Sequence, residues 1–124
     1  FGSTVDEFLS ASKYITNEGN PNVILCLRGI RTFEQTSSYF RFTPDLHSLL
    51  EIRDKSDLPV IFDPSHSAGK RVIVEPLAKM AIDLKFNGLI IESHHKPDEA
   101  WSDADQAVDL ETINNIFNYL HRKQ

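Results

Sequence analysis

Hydrophobic positions along the chain fall into two alternating rhythms. Val5, Phe8, Leu9 and Ile15 form a stripe at helical spacing behind Thr4-Val5-Asp6-Glu7, a capping-box pattern, and Gly19 lies near the stop. Val23-Ile24-Leu25-Cys26-Leu27, Pro59-Val60-Ile61-Phe62 and Leu89-Ile90-Ile91 are short and apolar throughout, as strands buried on both faces should be. Thr43-Pro44-Asp45 predicts a second helix with Thr43 as N-cap and Pro44 in its first position, its inner face made by Leu46, Leu49 and Leu50. A third helix is predicted over Glu75 to Leu84, with Leu77, Ala78, Ala81 and Ile82 inward. The last begins near Asp109 and spaces Ile113, Ile116, Phe117 and Leu120 along one face. The stretch from Phe33 to Phe42 has no clear period and reads as a loop.

The order is therefore α-β-α-β-α-β-α: three parallel strands and four helices joined as βαβ units. Such a set is either a small three-layer α/β sheet or a piece of a larger barrel. A complete eight-unit barrel needs about 250 residues, so 124 residues would supply half of one.

Composition narrows the partners. Hydrophobic residues make up 40% and charged residues 25%, the balance of an ordinary globular domain. A net charge of −5 argues against nucleic acid or an anionic membrane as a general partner, but leaves room for a phosphorylated substrate held by local cations. Cys26 is the only cysteine, so no intrachain disulfide forms and a cytoplasmic setting is expected. Neither a signal-peptide core nor an apolar run of about 18 residues is present.

The chemistry concentrates where the second and third strands break off. Ile61-Phe62 runs into Asp63-Pro64-Ser65-His66-Ser67-Ala68-Gly69-Lys70-Arg71, and Leu89-Ile90-Ile91 runs into Glu92-Ser93-His94-His95, with Ser102-Asp103 beyond. Parallel strands that end in ionisable residues mark an active-site face. His66, Glu92 and Asp103 offer one imidazole and two carboxylates, a donor set suited to a divalent metal. Arg28, Arg31, Lys70 and Arg71 add cations suited to phosphate or carboxylate.

Cys26-Leu27-Arg28-Gly29-Ile30-Arg31-Thr32-Phe33-Glu34, then Asp63 to Arg71, then Glu92-Ser93-His94…Pro97-Asp98…Ala100-Trp101-Ser102-Asp103…Gln106 resemble three consecutive motifs of one enzyme family. It is the 3-deoxy-D-arabino-heptulosonate 7-phosphate (DAHP) synthases, in the subfamily related to 3-deoxy-manno-octulosonate 8-phosphate synthases. The resemblance runs in register from Thr4 to about Leu120. It implies that the chain is the C-terminal portion of a (β/α)8 TIM barrel, running from the helix after strand five through helix eight.

It further implies a metal-dependent condensation of phosphoenolpyruvate with erythrose 4-phosphate, the first step towards aromatic amino acids. His66, Glu92 and Asp103 resemble the metal ligands and Arg28 a phosphoenolpyruvate-binding guanidinium. The metal is expected to polarise the sugar's aldehyde carbonyl. The enol carbon attacks that carbonyl, water adds to the resulting cationic centre, and phosphate leaves. The family's cysteine ligand lies on its first strand and precedes Phe1; Cys26 matches a non-ligand cysteine of a buried strand.

Three alternatives stand beside this expectation. The sister synthases use arabinose 5-phosphate, although Asp63-Pro64-Ser65-His66, Gly69-Lys70-Arg71 and Gln106 resemble the heptulosonate branch more closely. A non-catalytic half that waits on its missing strands is another reading, and it would self-associate or pair with that half. A free-standing α/β metal hydrolase is the third. Departures from the family pattern are Leu27 in place of Glu, His95 in place of Pro, and Lys85-Phe86 in place of a Gly-Ala pair. Lys70 and Arg71 read equally as a surface pair at a helix entry or as substrate contacts. His94 is either a support for Glu92 or an exposed loop residue. His47, His95 and His121 are expected at the surface, and Trp101 is expected to pack the loop.

Overall fold

A computed structural model of the protein describes residues 2–32 and 42–123. All of the predicted Phe33 to Phe42 loop except Phe42, and with it Phe33 and Glu34 of the first motif, lies outside the described residues. In chain order the elements are α1 (Val5–Asn17), β1 (Leu25–Leu27), α2 (Ser48–Lys55), β2 (Val60–Phe62), α3 (Pro64–Ala68), α4 (Arg71–Asp83), β3 (Gly88–Leu89), a 3-10 turn at Pro97–Glu99 and α5 (Leu110–Lys123). The strands form one parallel sheet in the order β1-β2-β3. Leu25, Cys26 and Leu27 sit opposite Val60, Ile61 and Phe62, and Ile61 and Phe62 sit opposite Gly88 and Leu89.

All the helices that pack on the sheet lie on one face of it. Leu9 of α1 and Leu49 and Ile52 of α2 bury against Leu25 and Val60. Val74, Leu77 and Ala81 of α4 bury with Phe62, flanked by Leu27, Leu89 and Ile91. Ile116 of α5 closes on Ala78 and Ile82. Because side chains alternate along a strand, the other face carries Ile24, Cys26, Ile61 and Ile90. That face is open: Ile24 is 61% and Ile90 53% exposed. The continuous apolar runs therefore do not mean strands buried on both sides in this chain. A sheet covered by helices on one side, apolar on the other and with no further strand beside β1 or β3 among the described residues is the geometry of a barrel segment rather than of a three-layer sheet.

Local chemistry sets most of the boundaries. Thr4 and Glu7 close the expected capping box on α1, with Glu7 N–H donating to Thr4 Oγ1 and Thr4 N–H to Glu7. Gly19 turns the chain at φ +91°. Ile15, expected inward, is exposed, and Ser12 takes the inner position. α2 begins later than its Thr-Pro signal suggests, because Thr43 pairs with Ile30 as an isolated antiparallel bridge. Asp45 receives the Ser48 N–H instead, and Ile52 rather than Leu50 completes the inner face. α4 starts at Arg71, ahead of Pro76. Pro76 lies past the first turn, so its ring removes the backbone bond that an N–H there would donate to the Val72 carbonyl.

Gly29 is fixed by its surroundings. It follows Arg28 at φ +90°, and a Cβ there would stand 2.9 Å from Phe42 Cβ and 3.1 Å from the Thr43 carbonyl oxygen. Gly19 has almost the same φ, with nothing within 4 Å of its added Cβ. Gly29→Ala should therefore destabilise the fold more than Gly19→Ala, although each meets the backbone strain of about 1–3 kcal/mol. Urea unfolding of the two variants measures the difference; equal losses would mean that the bridge between Ile30 and Thr43 yields freely.

Candidate metal centre

The parallel register brings three strand ends to one edge. Arg28 follows β1, Asp63 follows β2, and Glu92 follows the short extension of β3 in which Ile90 N–H donates to the Phe62 carbonyl. Asp63 N–H donates to Leu27 O at 2.9 Å, which locks the first two ends together.

α3 then forms at once. Asp63 is its N-cap, with Oδ1 accepting the His66 N–H at 2.9 Å; Pro64 takes the first turn, and Gly69 at φ +65° ends it. Asp63 Oδ2 lies 2.7 Å from His66 Nδ1. An ionised carboxylate can only accept, so Nδ1 carries the hydrogen and Nε2 keeps its lone pair for an incoming cation. The same Oδ2 is 3.6 Å from Arg28 Nε. One buried carboxylate thus faces both the imidazole and the guanidinium.

His66, Glu92 and Asp103 each offer a donor atom within 4.8 Å of the others, the one such trio among the described residues. His66 Nε2 is 4.0 Å from Asp103 Oδ1. Fully buried Ser65 accepts the Glu92 N–H at 2.9 Å through its hydroxyl. Asp103 holds a left-handed backbone at φ +55°, a turn conformation that Asp adopts more readily than most side chains. Gln106 Nε2 donates to its Oδ1 at 2.6 Å. The loop that carries Asp103 is tied back to the sheet by Val108 N–H donating to Glu92 O and His94 N–H donating to Val108 O. One imidazole and two carboxylates at this spacing fit a divalent cation, and the Asp63–His66 pairing is the outer support such sites use.

Cys26 is half-buried on the open face of the sheet. Burial pushes its thiol pKa up, the Asp63 charge adds to that, and Arg28 opposes it. The neutral thiol is therefore favoured over the thiolate more than in a free cysteine. A cavity of about 520 Å³ between α1, α2 and β1 takes in Cys26, Arg28 and Gly29 but not the trio.

Comparison with known proteins places this geometry. The model of the DAHP synthetase I family matches residues 1–123. The chain belongs to the DAHP synthetase I family. It is 44% identical over 122 residues to phospho-2-dehydro-3-deoxyheptonate aldolase of Thermotoga maritima, covering 98% of this chain and 35% of that one. It is 34% identical to 2-dehydro-3-deoxyphosphooctonate aldolase of Bartonella quintana, over 90% of this chain and 44% of the other. The crystal structure of the Thermotoga maritima enzyme superposes with a TM-score of 0.93 at 41% identity, covering 99% of this chain and 35% of that one. A truncated form of 3-deoxy-D-arabino-heptulosonate 7-phosphate synthase from the same organism gives 0.92, again at 41% identity, over 99% and 46%. The chain thus spans about a third to a half of the relatives it matches.

For this member of the DAHP synthetase I family, the expected trio and Arg28 come together at the strand ends. Three supporting bonds went unread in the sequence, Asp63–His66, Ser65–Glu92 and Gln106–Asp103, and Arg71, at the helix entry as one reading had it, also bonds the loop that carries Asp103. The Asp-Pro…Gly pattern was a readable signal for α3. Trp101, expected to pack the loop, is instead fully exposed. His94 turns to the backbone of Lys96 and stacks on His95.

Asp63→Asn should weaken divalent-metal binding by about 10–100-fold while α3 persists, since Asn still caps a helix. Isothermal titration with Mn²⁺ checks it; unchanged affinity would mean that the Asp63–His66 bond does not set the imidazole. The raised pKa of Cys26 predicts that iodoacetamide labelling rises with pH only above the ordinary thiol value of about 8.5. A midpoint below that value would contradict the burial of the thiol.

Proposed function

We propose that this chain carries the metal-binding side of a 3-deoxy-7-phosphoheptulonate synthase, which joins phosphoenolpyruvate to erythrose 4-phosphate and releases phosphate. The observation that carries the reading is the convergence of His66, Glu92 and Asp103 beside Arg28 in a chain 44% identical to a heptonate aldolase. The lower identity to octonate aldolases, 34% in the Bartonella quintana example, favours the four-carbon sugar phosphate over arabinose 5-phosphate. In this reading the chain spans the helix after strand five through helix eight of the barrel, in a cytoplasmic enzyme of aromatic amino acid biosynthesis.

His66 through Nε2, Glu92 and Asp103 would hold the metal. When bound, a divalent ion supplies Lewis-acid polarisation of the sugar's aldehyde carbonyl. The residues of the chain do the rest by position and charge. Arg28 holds an anionic group of phosphoenolpyruvate beside that carbonyl. Asp63 keeps the Arg28 guanidinium oriented through Oδ2 and keeps the His66 imidazole in one tautomer. The enol carbon forms the new C–C bond, water adds at the oxygen-bearing carbon, and the C–O bond to phosphate breaks.

The uncovered sheet face supports a second reading for the isolated segment. Ile24 and Ile90 are exposed on one side, and an apolar cavity of about 550 Å³ lined by Phe86, Leu89, Ile113 and Phe117 flanks β3. Further strands, or other copies of the chain, would have to cover these surfaces before catalysis.

Phosphoenolpyruvate consumption with Mn²⁺ tests the proposal on the natural polypeptide that carries these residues. Turnover with erythrose 4-phosphate and its loss by at least 100-fold in His66→Ala is the expected result. Turnover with arabinose 5-phosphate alone would move the chain to the sister activity. No turnover with either, despite metal binding, would make it the non-catalytic relative.

A further inference from the structure

Arg71 sits at the start of α4, shortly after the helix that carries His66, and its polar contacts go mainly to the loop that carries Asp103. Its Nε donates to Ala107 O at 2.7 Å, and its Nη2 donates to Ala104 O and to Asp98 Oδ1, both at 2.8 Å. Its backbone N–H donates to Asp105 O at 2.8 Å. Two of the accepting carbonyls belong to residues 104 and 105, immediately after Asp103, and a third to Ala107, whose own N–H donates to Asp103 O. Asp103 itself sits in the left-handed region at φ +55°, a turn conformation that Asp tolerates better than most side chains. The rest of the loop gives it little packing: Trp101 is fully exposed, and the 3-10 turn at Pro97–Glu99 buries nothing.

We propose that Arg71 is the positioning residue of the metal centre: it clamps the loop after β3 so that the Asp103 carboxylate faces His66. A guanidinium presents several donors in a rigid fork, which lets one side chain hold three acceptors at once. None of these Arg71 bonds goes to the side chains of His66, Glu92 or Asp103, so it acts through the loop that carries Asp103. The inference rests on the metal-centre reading.

The test is a cycle of Mn²⁺ affinities, read from the electron paramagnetic resonance signal of free ion, on the natural polypeptide and its Arg71→Ala, Arg71→Lys, Asp103→Asn, His66→Ala and Arg71→Ala/Asp103→Asn variants. Arg71→Ala should lose about 10–100-fold in affinity, the range for outer supports of metal ligands. In the Asp103→Asn background the same change should cost almost nothing further, because coupled residues are not additive. Arg71→Lys, which keeps charge and stem but not the fork, should recover only part of the loss and guards against a variant that does not fold. Hydrogen exchange at Gln106 and Ala107 should quicken in Arg71→Ala.

Full additivity in the double variant, or wild-type affinity in Arg71→Lys, would overturn the clamp. Affinity lost in His66→Ala but kept in Arg71→Ala would overturn the clamp alone. Affinity unchanged in His66→Ala would remove the metal centre and the clamp together.

Discussion

The Asp63 carboxylate is the interaction on which the strand-end face depends. It is nearly buried, at the end of the central strand, where an unpaired charge would be costly. Its two oxygens are therefore committed. One caps α3, and the other meets the His66 imidazole and the Arg28 guanidinium. Without that cap the Pro-Ser-His-Ser segment has no reason to wind into a helix of five residues. Without the second oxygen the imidazole has no fixed tautomer. A single side chain thus sets local structure, ligand orientation and charge balance.

Around this point the sheet does the coarse placement and hydrogen bonds do the fine placement. In-register parallel pairing delivers Arg28, Asp63 and Glu92 to a common edge, as the C-terminal edge of a barrel does for its active site. Ser65 then sets the height of Glu92. The loop after β3 returns to the strand through Val108 and is fastened to α4 through Arg71. His66 thus stands on α3, while Glu92 and Asp103 lie at either end of the connection after β3, which is tied to both the sheet and α4.

How much of this was legible in the sequence follows from range. Short-range rules wrote the capping box at Thr4 and the inner face of α4 where they are found, and placed the three apolar strands, although β1 begins only at Leu25 and β3 ends at Leu89. Trp101 and Thr43 went the other way. A lone aromatic in a polar loop gives no sign of whether anything packs on it, and Thr43 was drawn into a bridge with Ile30 across a segment distant in sequence. The apolar runs were read as buried on both faces because composition cannot say whether the second covering layer belongs to the same chain. At the site, the ordered motifs pointed to His66, Glu92, Asp103 and Arg28, which the fold brings to one face. Arg71 stayed ambiguous, since its partners are backbone carbonyls, which no sequence pattern reveals.

Anomalous diffraction at the manganese edge, from crystals of the natural polypeptide grown with Mn²⁺, tests the central claim most directly. The account predicts one peak about 2.0–2.2 Å from His66 Nε2 and from carboxylate oxygens of Glu92 and Asp103, with Nδ1 of His66 still bonded to Asp63. A peak elsewhere, or an imidazole turned so that Nδ1 meets the ion, would contradict it.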